Sequence, residues 1–122
     1  MKILVVDDSN VMRNKISRVA ATQSLQIVGL AKDGVRAVEA FQQTQPDLVT
    51  MDLTMPEMDG VTCVRELVAL RPDIRILVIS ALADKATAIE ALKAGAMGFL
   101  LKPFTDEQLA EALAETMGDG HG

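Results

Sequence analysis

Five polar residues stand where apolar runs stop. Asp7 and Asp8 follow the run 3–6, Asp52 ends the run 48–51, Ser80 follows the run 74–79, and Lys102 follows the run 97–101. Three carboxylates drawn into one small site repel one another unless a cation neutralises them. Mg²⁺ suits such a site, because it takes six oxygens in near-octahedral geometry and keeps several waters among them. Zinc does not suit it: the chain has one cysteine, Cys63, and one histidine, His121, so no Cys/His ligand set can form. Lys102 adds a flexible point charge suited to a phosphoryl oxygen, and Ser80 adds a short hydroxyl donor. A carboxylate can also attack phosphorus and form an aspartyl phosphate. A cation and a lysine beside it would neutralise the equatorial oxygens of the transferring group. Asp52 is the candidate nucleophile, because its run lies between the acid pair on one side and Ser80 and Lys102 on the other. Its product is a charge-rich group able to bias a two-state element.

For these residues to meet, the chain must bring the ends of its apolar runs together. The runs 3–6, 25–31, 48–51, 74–79 and 97–101 read as buried strands. Between them lie helical patterns. Met12, Ile16, Val19 and Ala20 share a face over 10–21; Val35, Val38 and Phe41 are expected to face inward after Asp33-Gly34; Val61, Val64, Leu67 and Val68 do so over 60–70. Arg71-Pro72-Asp73 ends that helix, and Gly95 ends an alanine-rich one over 84–94. Thr105 with Gln108 forms a capping box, and Leu109, Ala112 and Leu113 bury the last helix. Five β-α units with continuous apolar strands predict an α/β fold: a doubly wound parallel sheet covered on both faces, a three-layer sandwich. In such a sheet the carboxyl ends of the strands open on a crevice at the topological switch point, which is where the five polar residues are expected to gather.

Composition narrows the function classes. A length of 122 residues suits one domain, expected over 1–117 with a disordered tail over 118–122. His121 in that tail reads as solvated. With 49% hydrophobic residues and only 2% aromatic ones, the core is aliphatic, with the seven methionines filling gaps. A net charge of −5 without a basic stripe argues against nucleic acid. The apolar start is too short for a signal peptide or a membrane span, and the single Cys63 excludes an internal disulfide, so a cytoplasmic protein is expected. Cys63 itself reads as a small packed residue on a helix.

The segments VVDDS at 5–9, MDLTMPEMDG at 51–60, VISA at 78–81 and FLLKPF at 99–104 occur here in order and at family spacing. Together they resemble the response-regulator receiver domain, in particular single-domain chemotaxis regulators of the CheY type, over essentially residues 1–117. The resemblance implies a flavodoxin-like (β/α)5 fold with five parallel strands in the order 2-1-3-4-5. It implies that Asp8 binds Mg²⁺ directly, Asp7 largely through a water, and Asp52 as both phosphoacceptor and ligand, with the Thr54 backbone carbonyl completing the protein's share. It implies that Ser80 and Lys102 meet the phosphoryl oxygens, that the Lys102-Pro103 bond is cis, and that Phe99, Ala88 and Leu92 belong to a switch and output face. Phe99 occupies the position of a switching aromatic that is often tyrosine, so a hydroxyl is missing there. Thr54 and Leu82 hold the variable positions that tune phosphate loss. The implied function is a two-component phosphoacceptor, not a conventional enzyme, that catalyses its own phosphorylation and slow dephosphorylation. The donor is a histidine kinase. The output leaves by protein contact on the helix 4–strand 5–helix 5 surface of a monomer that binds neither nucleic acid nor membrane.

Each residue also has a plainer reading. Two aspartates after a strand can be a solvated turn, Ser80 a cap, Lys102 an exposed lysine, Phe99 simple packing, and Gly60 and Gly95 backbone necessities. The combination outweighs these readings. Among other functions, a Mg²⁺ phosphatase of the haloacid-dehalogenase type needs an acid two residues after its nucleophile, where this chain has Thr54. A flavin carrier needs a Ser/Thr-rich phosphate loop in place of Asp7-Asp8-Ser9-Asn10. A degenerate interaction module would have lost site residues that are all present here. A receiver cut from a longer regulator, such as a chemotaxis methylesterase, is the remaining alternative.

Overall fold

Strands and helices alternate along the whole chain. In order they are β1 (Lys2–Val6), α1 (Asn10–Thr22), β2 (Gln26–Ala31), α2 (Gly34–Thr44), β3 (Leu48–Asp52), α3 (Gly60–Leu70), β4 (Arg75–Ala81), α4 (Lys85–Ala94), β5 (Gly98–Lys102) and α5 (Asp106–Met117), with a 3₁₀ turn, Leu82–Asp84, before α4. The computed structural model describes residues 1–53 and 59–118, Leu82 by its backbone alone. All strand pairs are parallel, and the sheet order is β2-β1-β3-β4-β5, as the resemblance implied.

The three inner strands are apolar at consecutive positions because both sheet faces are covered. In β1, Ile3 and Val5 point into a core shared with Ile16, Val19, Leu109 and Leu113 of α1 and α5. Leu4 and Val6 point the other way, toward Ala37, Phe41, Val64, Leu67, Ala88 and Ala91 of α2, α3 and α4. Each fully buried Leu, Ile or Val contributes about 1.5–3 kcal/mol. That exceeds the ~1 kcal/mol of a typical helix cap, so the two cores decide that the elements form and the caps decide where they begin. Ser9, Asp33, Asp59 and Thr105 each accept a backbone N–H in the first turn of α1, α2, α3 and α5, and Thr105 and Gln108 form the expected capping box.

Several details depart from the sequence expectations. Val35 is 44% exposed rather than inward. Gly34, Ala37 and Phe41 form the buried face of α2, and Val35 lies one residue, about 100°, around the helix from Gly34. Strand β2 is an edge and is only partly covered: Leu30 is exposed while Ala31 is buried. Strands β4 and β5 start one residue later than expected and run on to Ala81 and Lys102, so Ser80 and Lys102 belong to paired strand tips. Gly118, expected in a disordered tail, instead caps α5 with φ 73°. His121 and the rest of 119–122 lie outside the described residues.

Candidate functional site

The register brings the polar residues to one edge. Val6 pairs with Met51, Asp52 with Ile79, and Ala81 with Lys102, so the carboxyl ends of β1, β3, β4 and β5 open on the same edge, with β4 and β5 running two residues past the level of Asp52. Beyond β1 the chain turns at once into α1. The Ser9 amide donates to Asp7 Oδ1 at 2.9 Å, and the Ser9 hydroxyl accepts from the Met12 amide. The Asp7 amide donates to the Ala31 carbonyl of β2 at 3.0 Å. Asp7 is therefore fully buried while Asp8 next to it is exposed.

One carboxylate oxygen from each of Asp7, Asp8 and Asp52 lies within 4.8 Å of the other two. Lys102 Nζ stands 3.7 Å from Asp52 Oδ1, with Asp52 1% and the lysine side chain 29% exposed. Two carboxylates at this separation repel by roughly 3–4 kcal/mol at an effective dielectric near 20. One lysine cannot balance three of them. Asp7 shows the effect: its carboxyl is raised to about 6, first by burial and further by the Asp52 charge, against the lowering influence of the Ser9 amide. Its Oδ2 is buried with no hydrogen-bond partner, although buried polar atoms are almost always paired. A buried carboxylate oxygen without a hydrogen-bond partner, on a side chain clustered with two other carboxylates, fits a hard cation, and the all-oxygen donor set fits Mg²⁺.

The remaining predicted residues divide. Ser80 is fully buried at the tip of β4, with its hydroxyl donating toward the main-chain carbonyls of Ala81 at 3.2 Å and Asp84 at 3.4 Å. The Lys102-Pro103 peptide bond is cis. Phe99 is 37% exposed and lines a groove of about 370 Å³ with Gln108, Glu111 and Glu115 of α5. Ala88 does not share that surface. It is completely buried, and Leu92 is partly buried against the same core, so both pack α4 onto the sheet. Thr54 lies outside the described residues, as does the side chain of Leu82.

The structure adds two features. The first gives the expected backbone role of Gly60 its reason: a Cβ there would lie 2.5 Å from Leu53 Cα and 2.9 Å from the Asp52 carbonyl oxygen. The other is Arg13, whose guanidinium donates to the Asp7 carbonyl at 2.6 Å. Its spacing, six residues after Asp7 in the second turn of α1, is the only sequence signal for it.

The model of the response regulator receiver domain matches residues 3–114. The chemotaxis protein CheY of Bacillus subtilis (strain 168) is 40% identical over 116 residues, covering 95% of this chain and 97% of its own. A protein-glutamate methylesterase/protein-glutamine glutaminase of Photobacterium profundum is 46% identical over 110 residues, 87% of this chain but 27% of its own. Among solved structures, a CheX-CheY-BeF3-Mg²⁺ complex from Borrelia burgdorferi contains a chain superposing with a TM-score of 0.90 at 28% identity, over 96% of this chain and 89% of that one. With the family model spanning nearly the whole fold and a CheY relative aligned end to end, the chain belongs to the response regulator receiver domains, homologous to the CheY proteins of chemotaxis.

Proposed function

We propose that this chain is a phospho-accepting switch of a two-component, chemotaxis-type pathway, and that Asp52 carries the phosphoryl group. The supporting observation is the acid cluster of Asp7, Asp8 and Asp52 with Lys102 3.7 Å from Asp52. An Asp52 oxygen attacks the phosphorus of a phosphohistidine on a sensor kinase. The new O–P bond forms as the P–N bond breaks, and its electron pair leaves with the imidazole. Lys102 moves from its pairing with Asp52 toward the incoming oxygens. Asp8 and Asp52 would hold Mg²⁺ directly and Asp7 largely through a water, with the Thr54 carbonyl as the further ligand that the resemblance implies. When bound, Mg²⁺ supplies charge neutralisation for the transferring group. Asp8 at this edge is exposed to solvent, the side from which a donor protein would approach.

For Ser80 to meet a phosphoryl oxygen, its hydroxyl must leave the Ala81 and Asp84 carbonyls. That move draws in the turn before α4, and Phe99 repacks beside it. The output then leaves through the surface of α4, β5 and α5, where Phe99 and the Glu111–Glu115 groove lie. The unit acts as a monomer over residues 1–117, in the cytoplasm. It catalyses its own phosphorylation and slow dephosphorylation rather than turning over a pool of substrate. Among the described residues no helix is long and apolar enough to cross a membrane. A second reading, a receiver unit of a longer regulator, draws on the methylesterase relative, of which the match covers 27%.

The test is incubation with acetyl phosphate and Mg²⁺ followed by intact-mass measurement. A single phosphoryl adduct is expected, absent from Asp52→Asn and abolished by a chelator. An adduct that persists in Asp52→Asn, or none in the wild type, overturns the assignment.

A further inference from the structure

The β1–α1 turn carries both members of the acid pair, and its conformation is held at nearly every polar atom of Asp7. The amide donates to the Ala31 carbonyl. Oδ1 accepts from the Ser9 amide. The carbonyl oxygen accepts from Arg13 Nη1 at 2.6 Å, a short charge-assisted bond. Arg13 Nη2 in turn donates to Asn10 Oδ1 at 3.2 Å, and the Arg13 amide donates to the Ser9 carbonyl at 2.9 Å. The guanidinium thus bridges the start of α1 to the Asp7 peptide. The one Asp7 atom left over is the buried Oδ2, on the side chain that clusters with those of Asp8 and Asp52.

We propose that Arg13 is a positioning residue for the cation site: by gripping the Asp7 carbonyl it fixes the turn that presents Asp7 and Asp8 to the metal. This rests on the reading of the cluster as a Mg²⁺ site. The proposal has a sign that a simple charge effect lacks. An arginine near a cation site repels the cation, so removing a bystander charge leaves Mg²⁺ binding unchanged or tighter. Removing a group that orients a ligand weakens it, typically 10–100-fold for an outer partner of a metal ligand. Lys15 supplies the control. It lies two residues further along α1, and its ammonium is committed elsewhere, to the Phe104 carbonyl at 3.1 Å and Asp106 at 3.8 Å.

The experiment is calorimetric titration of Mg²⁺ at fixed ionic strength into wild type, Arg13→Gln, Arg13→Lys and Lys15→Gln, each checked for a cooperative urea transition. Arg13→Gln is expected to weaken Mg²⁺ about tenfold. Lys15→Gln, with the same change in charge, leaves it equal or tighter. Arg13→Lys, which keeps a charged donor, recovers part of the loss and carries the comparison if the glutamine variant does not fold. Arg13→Gln and Lys15→Gln behaving alike, or Arg13→Gln binding as tightly as wild type, overturns the inference while leaving the metal site standing. A wild-type protein that takes up no Mg²⁺ overturns both.

Discussion

Thr50 lies two residues before Asp52 on the central strand, completely buried, and its hydroxyl has no hydrogen-bond partner. Such a group keeps its desolvation cost, about 1–3 kcal/mol. Valine has nearly the same shape and branches at the same carbon, so it keeps the strand's χ1 preference. Thr50→Val is therefore expected to raise stability by about 1 kcal/mol, read as a higher urea midpoint at unchanged slope. A lower midpoint would mean that the hydroxyl is paired after all, through a buried water. Cys63 differs from Thr50 in that it is buried and satisfied. Burial pushes its thiol up to about 12, and its Sγ lies 3.7 Å from the Gly34 carbonyl. A thiol so far from ionising does not react, which agrees with its reading as a packed helix residue.

At the scale of elements, the caps contribute to the pH dependence of the fold. Asp33 opens α2, accepting from the Arg36 amide at 2.8 Å and from its guanidinium at 2.7 Å. The Arg36 amide, followed by the guanidinium, holds the Asp33 carboxyl below the usual range. A lowered carboxyl stabilises the fold fully above its unfolded pKa, about 3.9, and loses that contribution as pH falls through the folded value. Asp33→Ala should thus cost about 1–2 kcal/mol at neutral pH, with the gap from wild type closing below about pH 4. Asp33→Asn, still a good cap, should lose much less at pH 7. Thermal melts of the three proteins between pH 3 and 7 test this, and a gap independent of pH would remove the charge from the explanation. The caps Asp33 and Thr105, and the sheet they flank, were legible because each precedes a helical apolar pattern. Strand tips were not, because the backbone ladder ignores side-chain polarity: Ser80 and Lys102 pair as well as their apolar neighbours. Val35 was misplaced because the small residues Gly34 and Ala37 let α2 close on the sheet along a different stripe. Ala88 was misplaced because the resemblance marks a helix as a surface without saying which of its faces packs. The acid cluster was readable from strand ends alone. The grip of Arg13 on the Asp7 carbonyl depends on how a turn folds back, and residue spacing carries little of that.

For the molecule as a whole, the acidic edge of the sheet and the stability of the fold are coupled. Elsewhere the sheet is closed by two aliphatic cores, but at the tips of β1 and β3 it holds two buried carboxylates and an exposed third within 4.8 Å. Without a cation this edge opposes folding, and Lys102 offsets only part of the repulsion. A ligand that binds the folded state alone adds RT ln(1 + [L]/Kd), about 2.7 kcal/mol at one hundred times Kd and about 1.4 kcal/mol for each further tenfold. For a domain of this size that first increment corresponds to a rise in Tm of about 10 °C. The expected outcome is a Tm that climbs linearly with log[Mg²⁺] above Kd when ionic strength is held constant, so that screening is not mistaken for binding. Asp8→Asn and Asp52→Asn should each move the onset of that rise to higher [Mg²⁺], because each removes a charge from the same site and raises Kd, whereas Thr50→Val should raise the whole curve without moving its onset. A wild-type Tm that follows ionic strength alone would mean that the edge tolerates its carboxylates by some other means, and the phosphotransfer proposal would lose its physical basis.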